Sequence, residues 1–145
     1  MTTTPVAYAN VRAAVDHPID RVWPVIADFG GLAAWGAGVT GCTLEGEGPG
    51  AVRSVSLGDR IAHERLEAIA PDRHWLRYHI VPPHAMPAEN VYSDISLTAI
   101  DTNRTEILWV SEATGFGIPP EQLGARIEGF YSRSIEGLKK LLDGA

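Results

Sequence analysis

Apolar and polar residues alternate with a period of two through the middle of the chain. Three such runs follow one another, at residues 61–69, 74–81 and 91–100. Alternation over four to eight residues is typical of a strand with one buried face. Short segments rich in proline and aspartate separate the runs, so the pattern predicts three consecutive antiparallel strands.

Four further segments extend this pattern to a sheet of seven strands. Residues 6–15 alternate weakly, and residues 39–45 and 51–57 are bounded by turns that contain glycine. Residues 105–116 form the last predicted strand, after which the period of the apolar positions changes. One face of such a sheet needs a cover, because burial of apolar surface is favourable in water.

Two short helices are predicted between the first and second strands. Pro18 suits the first position of a helix, where a backbone N–H would be unpaired in any case. This helix is expected over residues 18–28, and a second helix, interrupted by glycines, over residues 29–38. In the second helix, Leu32 and Trp35 are expected to point inward.

The end of the chain has the three- and four-residue spacing of an amphipathic helix over residues 119–142. At 1.5 Å per residue this helix would be about 36 Å long, which is enough to cover the sheet. Gly124, Gly129 and Gly137 each cost about 1 kcal/mol relative to alanine inside a helix, so they call for an explanation from packing or from a cavity. The predicted apolar face consists of Leu123, Ile127, Phe130, Ser134, Leu138 and Leu141.

Together these elements predict a single α+β domain over residues 1–145. Its order is a strand, two short helices, six strands and a long helix. A sheet that curves around a helix encloses a hydrophobic cavity where the facing residues are small. The small residues expected on the two facing surfaces are Ala62, Ser93, Gly129 and Ser134.

The composition of the chain narrows its function classes. A net charge of −6 without any basic run argues against nucleic acid or an anionic membrane as a partner. Cys42 is the only cysteine, so an intramolecular disulfide is excluded. The first residues lack a basic and apolar leader, and no apolar stretch reaches the length of a membrane span, so a cytoplasmic protein is expected. The oligomeric state stays open, with a homodimer as one alternative.

The motifs in the sequence do not indicate a metal, a cofactor or a serine nucleophile. The five histidines lack the spacing of metal ligands, and no G-x-S-x-G motif is present. Residues 36–41 match the glycine pattern of a dinucleotide site, but a predicted helix precedes them and a strand follows, which is the wrong order. His84, in a proline-rich loop, is the histidine whose side chain could reach over the mouth of a cavity.

Three charged residues occupy positions on predicted apolar faces. Alternation with a period of two places Glu64 on the same strand face as Leu66, and Glu112 on the same face as Val110. It also places Arg53 on the inward face of its own strand. A buried charge must be paired or change its pKa. Glu64 and Arg53 are therefore either a structural ion pair or, with Glu112, polar groups that line a cavity. The third alternative is a register shifted by one residue, which would place the glutamates in solvent.

Several segments follow one another in an order and spacing that cover nearly the whole chain. They are PIDRVWPVIAD at residues 18–28, LAAW at 32–35, GAVR at 50–53, ERL at 64–66, YHI at 78–80, PAEN at 87–90, WVS at 109–111 and the final helix. In these segments the chain resembles the START-like, birch-pollen-allergen-like superfamily called SRPBCC, and within it the polyketide cyclase/dehydrase group. The resemblance implies a helix-grip fold, in which a seven-stranded antiparallel sheet wraps a long C-terminal helix and encloses a hydrophobic pocket.

Plant abscisic-acid receptors share this pattern. Their two pocket glutamates fall on Glu64 and Glu112, and a pocket serine falls on Ser93. A pocket tyrosine of the receptors, however, corresponds to Val91, and a pocket lysine corresponds to Thr40. Their gate loop is also shortened here, so the resemblance does not support a role as a hormone receptor.

We therefore expect the pocket to bind a small hydrophobic molecule, polyketide-like or aromatic. As an enzyme the protein would be a cofactor-independent cyclase or dehydratase, with Glu64 and Glu112 as acid/base groups and Tyr78 as a hydrogen-bonding partner. A non-catalytic carrier of a lipid, quinone or pathway intermediate is the alternative, and an interaction domain with a filled core is a third. The expected ligand-binding residues are Trp35, Arg53, Val55, Leu57, Ala62, Leu76, Ile80, His84, Ser93, Ile95, Val110, Ile127, Phe130 and Ser134.

Overall fold

A curved antiparallel sheet and a long C-terminal helix form the body of the molecule. The computed structural model describes residues 5–84 and 86–144. In chain order the elements are β1 (Ala7–Val15), α1 (Ile19–Ala27), a 3-10 helix (Phe29–Ala34), β2 (Gly41–Glu45), β3 (Val52–Leu57), β4 (Arg60–Ala70), a 3-10 turn (Pro71–Arg73), β5 (Trp75–Val81), β6 (Ala88–Glu89), β7 (Val91–Asp101), β8 (Arg104–Ala113), β9 (Gly115–Phe116) and α2 (Pro120–Asp143).

Seven of the strands form one sheet in the order β1-β8-β7-β5-β4-β3-β2. Every neighbouring pair in this sheet is antiparallel. The predicted α+β helix-grip fold is therefore confirmed. The second short helix differs from the prediction, because it is a 3-10 helix that ends at Ala34.

The last predicted strand is divided into two strands. β8 ends at Ala113, and Gly115–Phe116 pairs with Ala88–Glu89 as a separate two-stranded ribbon. The N–H of Gly117 also donates to the carbonyl oxygen of Pro87 at 2.9 Å. The ribbon therefore ties the loop before β7 to the segment that leads into α2.

The faces of β3, β4, β5 and β7 agree with the alternation in the sequence, but the face of β8 does not. The inward side chains of β8 include Trp109 and Ser111, whereas Val110 and Glu112 point outward. Opposite residues of an antiparallel pair share a face. Ser93 is opposite Ser111 in the ladder between β7 and β8, so the buried face of β7 sets the buried face of β8.

Two irregularities bend the sheet around α2. The register shifts between Leu66 and Ala68 in β4 and between Ala99 and Asp101 in β7. A bulge of this kind bends its strand and increases the local twist. These bends help the sheet to curve over the helix.

Helix α2 has 24 residues, and glycines bring both of its ends close to neighbouring backbone. A Cβ at Gly124 would meet the carbonyl oxygen of Tyr8 in β1, and a Cβ at Gly137 would meet the carbonyl oxygen of Trp35. Both contacts would be far inside van der Waals distance, so these two glycines are explained by packing.

The C-terminal half of α2 lies against a filled core, in which the rings of Trp35 and Trp109 are 5.7 Å apart. The N-terminal half lies over open space. Gly129, which the sequence placed on the facing surface of the helix, does not border that space. A Cβ at Gly129 would meet the guanidinium of Arg133 of the same helix at 3.0 Å.

Candidate functional site

A cavity of about 360 Å³ lies between the N-terminal half of α2 and strands β3, β4 and β5. Small-molecule sites have volumes of roughly 300–1,000 Å³, so the cavity can hold a small organic molecule. Arg60, Pro87 and Arg126 are exposed residues of its lining and mark its mouth. The wall is mainly hydrocarbon, from Val55, Leu57, Ala62, Ile80, Met86, Val91, Leu123, Ile127 and Phe130.

A buried ion pair forms one side of the cavity. Nε and Nη2 of Arg53 each lie 2.7 Å from Oε1 of Glu64, and the two residues are only 3% and 8% exposed. Arg53 and Glu64 are opposite each other in the ladder between β3 and β4, so the sheet itself brings them together. Of the three alternatives for Glu64, the structure has the ion pair, and the Glu64 side chain also lines the cavity.

The guanidinium of Arg53 is held on several sides besides Glu64. Its Nη1 donates to the carbonyl oxygen of Phe29 at 3.1 Å. The guanidinium carbon lies 4.0 Å from the ring centroid of Phe29 and 4.9 Å from that of Tyr78. Cation–π contacts with desolvated rings add to the attraction of the carboxylate. The Arg53 guanidinium is therefore held in the protein interior by contacts with other groups of the protein.

Two phenols stand in the buried part of the cavity wall, those of Tyr78 and Tyr131. The indole N–H of Trp109 donates to the Tyr78 hydroxyl at 3.1 Å, and the hydroxyls of Tyr131 and Ser93 are hydrogen-bonded at 3.0 Å. The Tyr131 ring also stacks on Trp109, with centroids 3.9 Å apart. Burial raises the pKa of Tyr131 and raises the pKa of Tyr78 well above its ordinary value. Both phenols are therefore protonated near neutral pH and can donate a hydrogen bond.

The cavity brings together many of the residues that the sequence suggested for the site. Arg53 stands directly behind Glu64 as its partner. The predicted residues that line the cavity are Val55, Leu57, Ala62, Glu64, Tyr78, Ile80, Ile127 and Phe130.

Other predicted pocket residues lie elsewhere in the fold, because the filled core takes up the rest of the interior. Ser134 accepts a hydrogen bond from the N–H of Ala37 at 2.9 Å, and Ser93 lies behind Tyr131. His84 is half-buried in its loop. Apart from Arg53, Val110 and Glu112, the predicted site residues that do not line the cavity, among the described residues, are Trp35, Leu76, His84, Ser93, Ile95 and Ser134.

The prediction that Glu112 and Val110 face the cavity is wrong. Both border a shallow groove on the outer face of the sheet, next to Tyr8 and Arg77. Glu112 is exposed there, as the alternative of a shifted register requires. The correspondence between Glu112 and a pocket glutamate of the hormone receptors fails for the same reason.

Several cavity residues were not predicted as site residues. Val91 alternates with Ser93 on the inward face of β7, so its position could have been predicted. Arg60 and Arg126 are charged and exposed, and such residues carry no periodic signal that distinguishes a cavity mouth from ordinary surface. The complete set is Arg60, Met86, Pro87, Val91, Leu123, Arg126 and Tyr131.

Within residues 5–84 and 86–144, no three histidine, cysteine or acidic side chains gather as ligands for a metal ion. In the same ranges, no helix combines the length and the hydropathy needed to cross a bilayer.

A curved sheet that grips a long helix over a largely apolar cavity defines the class of helix-grip proteins with an internal pocket. The sequence identifies the family within this class. Residues 8–143 match the profile of the family described as polyketide cyclase/dehydrase and lipid transport, and the chain belongs to that family. A comparison with curated protein sequences finds no match.

Solved structures of several different proteins share this fold. XoxI from Bacillus cereus has a TM-score of 0.85 at 22% identity, over 94% of this chain and 95% of XoxI. The ZhuI aromatase/cyclase from Streptomyces sp. R1128 has a TM-score of 0.71 at 17% identity, over 97% of this chain and 93% of ZhuI. Ara h 8.0201 has a TM-score of 0.72 at 18% identity, over 97% of both chains. At these identities the similarity establishes the fold.

Proposed function

We propose that this protein binds a small, mostly apolar molecule, polyketide-like or aromatic, in the cavity under α2. The observation that carries this proposal is the cavity itself, with its hydrocarbon wall and the polar groups of Glu64, Tyr78 and Tyr131 in its buried part. Apolar pockets with a few convergent polar groups are typical of sites that bind and orient small molecules. The family and the fold are consistent with hydrophobic ligand binding.

The reaction that these polar groups suit best is a cofactor-independent cyclisation followed by dehydration. Glu64 would take a proton from a carbon next to a ketone, while the Tyr78 or Tyr131 hydroxyl donates a hydrogen bond to the enolate oxygen. The enolate carbon would attack a second carbonyl of the same chain, and the new alkoxide would take up a proton. Loss of a second α-proton and of the hydroxyl group as water would then form a carbon–carbon double bond.

The shape of the cavity would contribute to the rate of such a reaction. A flexible chain that is folded into a reactive conformer inside a closed wall gains the advantage of proximity. With Glu112 on the outer face of the sheet, the expected pair of carboxylates is replaced by one carboxylate and two phenols. With Glu64 as the base and the two phenols as hydrogen-bond donors, the reaction does not need a second acidic residue.

A non-catalytic carrier is the second candidate, and a specific observation favours it. Each buried polar side chain of the cavity wall has at least one partner inside the protein. Glu64 is bonded to Arg53, Tyr78 to Trp109, and the Tyr131 hydroxyl to Ser93. Polar groups that are held by the protein in this way would be expected of a pocket that holds its ligand unchanged.

Native mass spectrometry of the purified protein tests the shared part of both candidates. We expect a retained small molecule of low polarity, or uptake of the neutral fluorophore N-phenylnaphthylamine, which becomes brighter in an apolar pocket. A protein that retains no such molecule and does not take up the fluorophore would refute the binding proposal.

Substitution of Glu64 by glutamine separates the enzyme from the carrier. Glu64→Gln keeps an oxygen that can accept from Arg53 but removes the base, so turnover of a linear poly-β-ketone thioester should fall by roughly 10²–10⁴-fold. Turnover is measured by mass spectrometry as the loss of one water, and fluorophore binding is measured in parallel. Glu67→Gln, on the outer face of β4, is the matched control. No turnover by the wild type, with intact binding, would favour the carrier.

A further inference from the structure

Two arginines at the mouth of the cavity set its electrostatics. Arg60 starts β4 and Arg126 lies on α2, so the two come from opposite walls. Both are exposed, and both line the cavity. In the described part of the chain neither forms an ion pair, in contrast to Arg12, Arg53, Arg65, Arg77 and Arg104.

The placement of these two charges opposes the overall charge of the protein. The chain carries a net charge of −6, yet the side chains at the mouth that bear a full charge are cationic. Arg126 lies three residues after Leu123 and four residues before Phe130, which places it on the same helix face as these cavity residues. We name Arg60 and Arg126 the cationic rim.

Among the described residues that line the interior of the cavity, none offers a free cation to a ligand. Arg53 is held by Glu64 and the carbonyl oxygen of Phe29, and the Glu64 carboxylate is the charged group that lines the interior wall. An anionic group would therefore be repelled from the interior and attracted to the rim. An apolar group would have the opposite preference, because the interior wall is hydrocarbon.

We propose that the ligand of this cavity is an apolar carboxylic acid, bound with its carboxylate at the cationic rim and its hydrocarbon body inside. This inference rests on the proposed function, since it names the chemical class of the molecule in the same cavity. A planar guanidinium can donate two parallel hydrogen bonds to a carboxylate, and such charge-assisted bonds are about twice as strong as neutral ones. Both guanidinium groups line the mouth of the cavity, so either can bond to a carboxylate that lies there.

A matched pair of ligands tests the proposal. Naphthaleneacetate and naphthylethanol have the same carbon skeleton and differ in carboxylate against hydroxyl. Each is titrated against the protein loaded with N-phenylnaphthylamine, which is neutral, and displacement is followed by fluorescence. At neutral pH and low salt we expect the acid to bind about tenfold more tightly than the alcohol. At 1 M salt, where the screening length is about 3 Å, this preference should largely disappear.

Three variants localise the effect. Arg60→Gln and Arg126→Gln should each weaken binding of the acid by roughly two- to fivefold and leave binding of the alcohol unchanged. Arg133→Gln is the matched control, since Arg133 is an exposed arginine of α2 that does not line the cavity. It removes the same charge and should change neither affinity. Circular dichroism of each variant verifies that it is folded.

The outcomes distinguish the rim from the pocket. If the fluorophore and the alcohol bind but the acid has no advantage, the cationic rim is refuted and the pocket stands. The cationic rim is also refuted if Arg133→Gln weakens acid binding as much as the rim variants do, because the effect would then come from net charge. If neither the fluorophore nor the alcohol binds to the wild type, the proposed function fails together with this inference.

Discussion

At the scale of single residues, Arg53 and Glu64 are the charged side chains that are buried in the described part of the chain. Transfer of two charges from water into a protein is costly, and their attraction offsets this cost only with good geometry and further hydrogen bonds. Here the guanidinium has a carboxylate, a backbone carbonyl oxygen and two aromatic rings around it. Loss of both partners should therefore cost less than the sum of the two single losses.

A double-mutant cycle tests this expectation. Arg53→Met should lower the free energy of unfolding by about 3–5 kcal/mol, because Glu64 is then buried and unpaired. Arg53→Met combined with Glu64→Leu should lose less than the sum of the single changes, with a coupling of about 1–3 kcal/mol. Chemical denaturation of the four proteins gives these values.

A surface pair provides the control for this cycle. Nη2 of Arg65 lies 2.9 Å from Oε1 of Glu67 on the outer face of β4, and the two side chains are 43% and 30% exposed. Water screens such a pair, so Arg65→Met should cost less than about 1 kcal/mol. Additive losses at Arg53 and Glu64 would contradict the coupling that their contacts imply.

At the scale of elements, strand β8 and helix α2 illustrate two ways in which packing decides what a sequence pattern leaves open. Both faces of β8 carry large apolar residues, Ile107 and Trp109 on one and Leu108 and Val110 on the other. The alternation alone therefore does not distinguish the buried face. The ladder with β7 does, because the inward positions of two paired strands must coincide.

The glycines of α2 give a prediction at this scale, since three similar positions have different surroundings. Gly129→Ala should stabilise the protein by up to about 1 kcal/mol, because a Cβ there meets only the flexible end of Arg133. Gly124→Ala and Gly137→Ala should instead destabilise it by about 1–3 kcal/mol, because a Cβ would overlap backbone carbonyl oxygens. Thermal unfolding of the three variants measures the difference. Equal stabilisation by all three would mean that α2 is not held so closely to its neighbours.

At the scale of the whole molecule, the interior is divided between a filled core and a cavity. Tryptophans and aliphatic residues fill the space under the C-terminal half of α2, whereas the space under its N-terminal half stays open. The cavity wall combines residues from four strands, one loop and the helix. Ligand binding should therefore stabilise the entire fold rather than one element.

A variant with a filled cavity tests whether ligand binding in the cavity stabilises the fold. At a ligand concentration 100 times its Kd, binding stabilises a protein by about 2.7 kcal/mol, which raises the Tm of a domain of this size by roughly 5–10 °C. Ala62→Phe should abolish this shift with N-phenylnaphthylamine, because Ala62 is a buried residue of the cavity wall. Ala14→Phe, at an exposed position of β1, should retain it. An unchanged shift in Ala62→Phe would place the ligand outside this cavity.

The sequence by itself determined most of the elements, the α+β class and the inward face of most strands. Periodicity is a local property, and residues such as Ala62, Glu64, Tyr78 and Ile80 alternate against clearly polar or charged neighbours. The order and spacing of short segments extended this to the helix-grip fold. Within the site, the alternation made Glu64 a candidate for the cavity wall and Arg53 a candidate partner, with a register that exposes Glu64 as the remaining alternative.

Only the tertiary structure decided where the interior is empty and which charges border it. Cavity volume depends on how residues from distant segments fill a shared space, and no local pattern records that sum. Trp35 and Ile95 are as apolar as Val55 and Ile80, yet Val55 and Ile80 line the cavity and Trp35 and Ile95 do not. The two arginines of the cationic rim look like ordinary surface residues in the sequence. Only the fold brings them to one opening, where both charges can act on the same ligand.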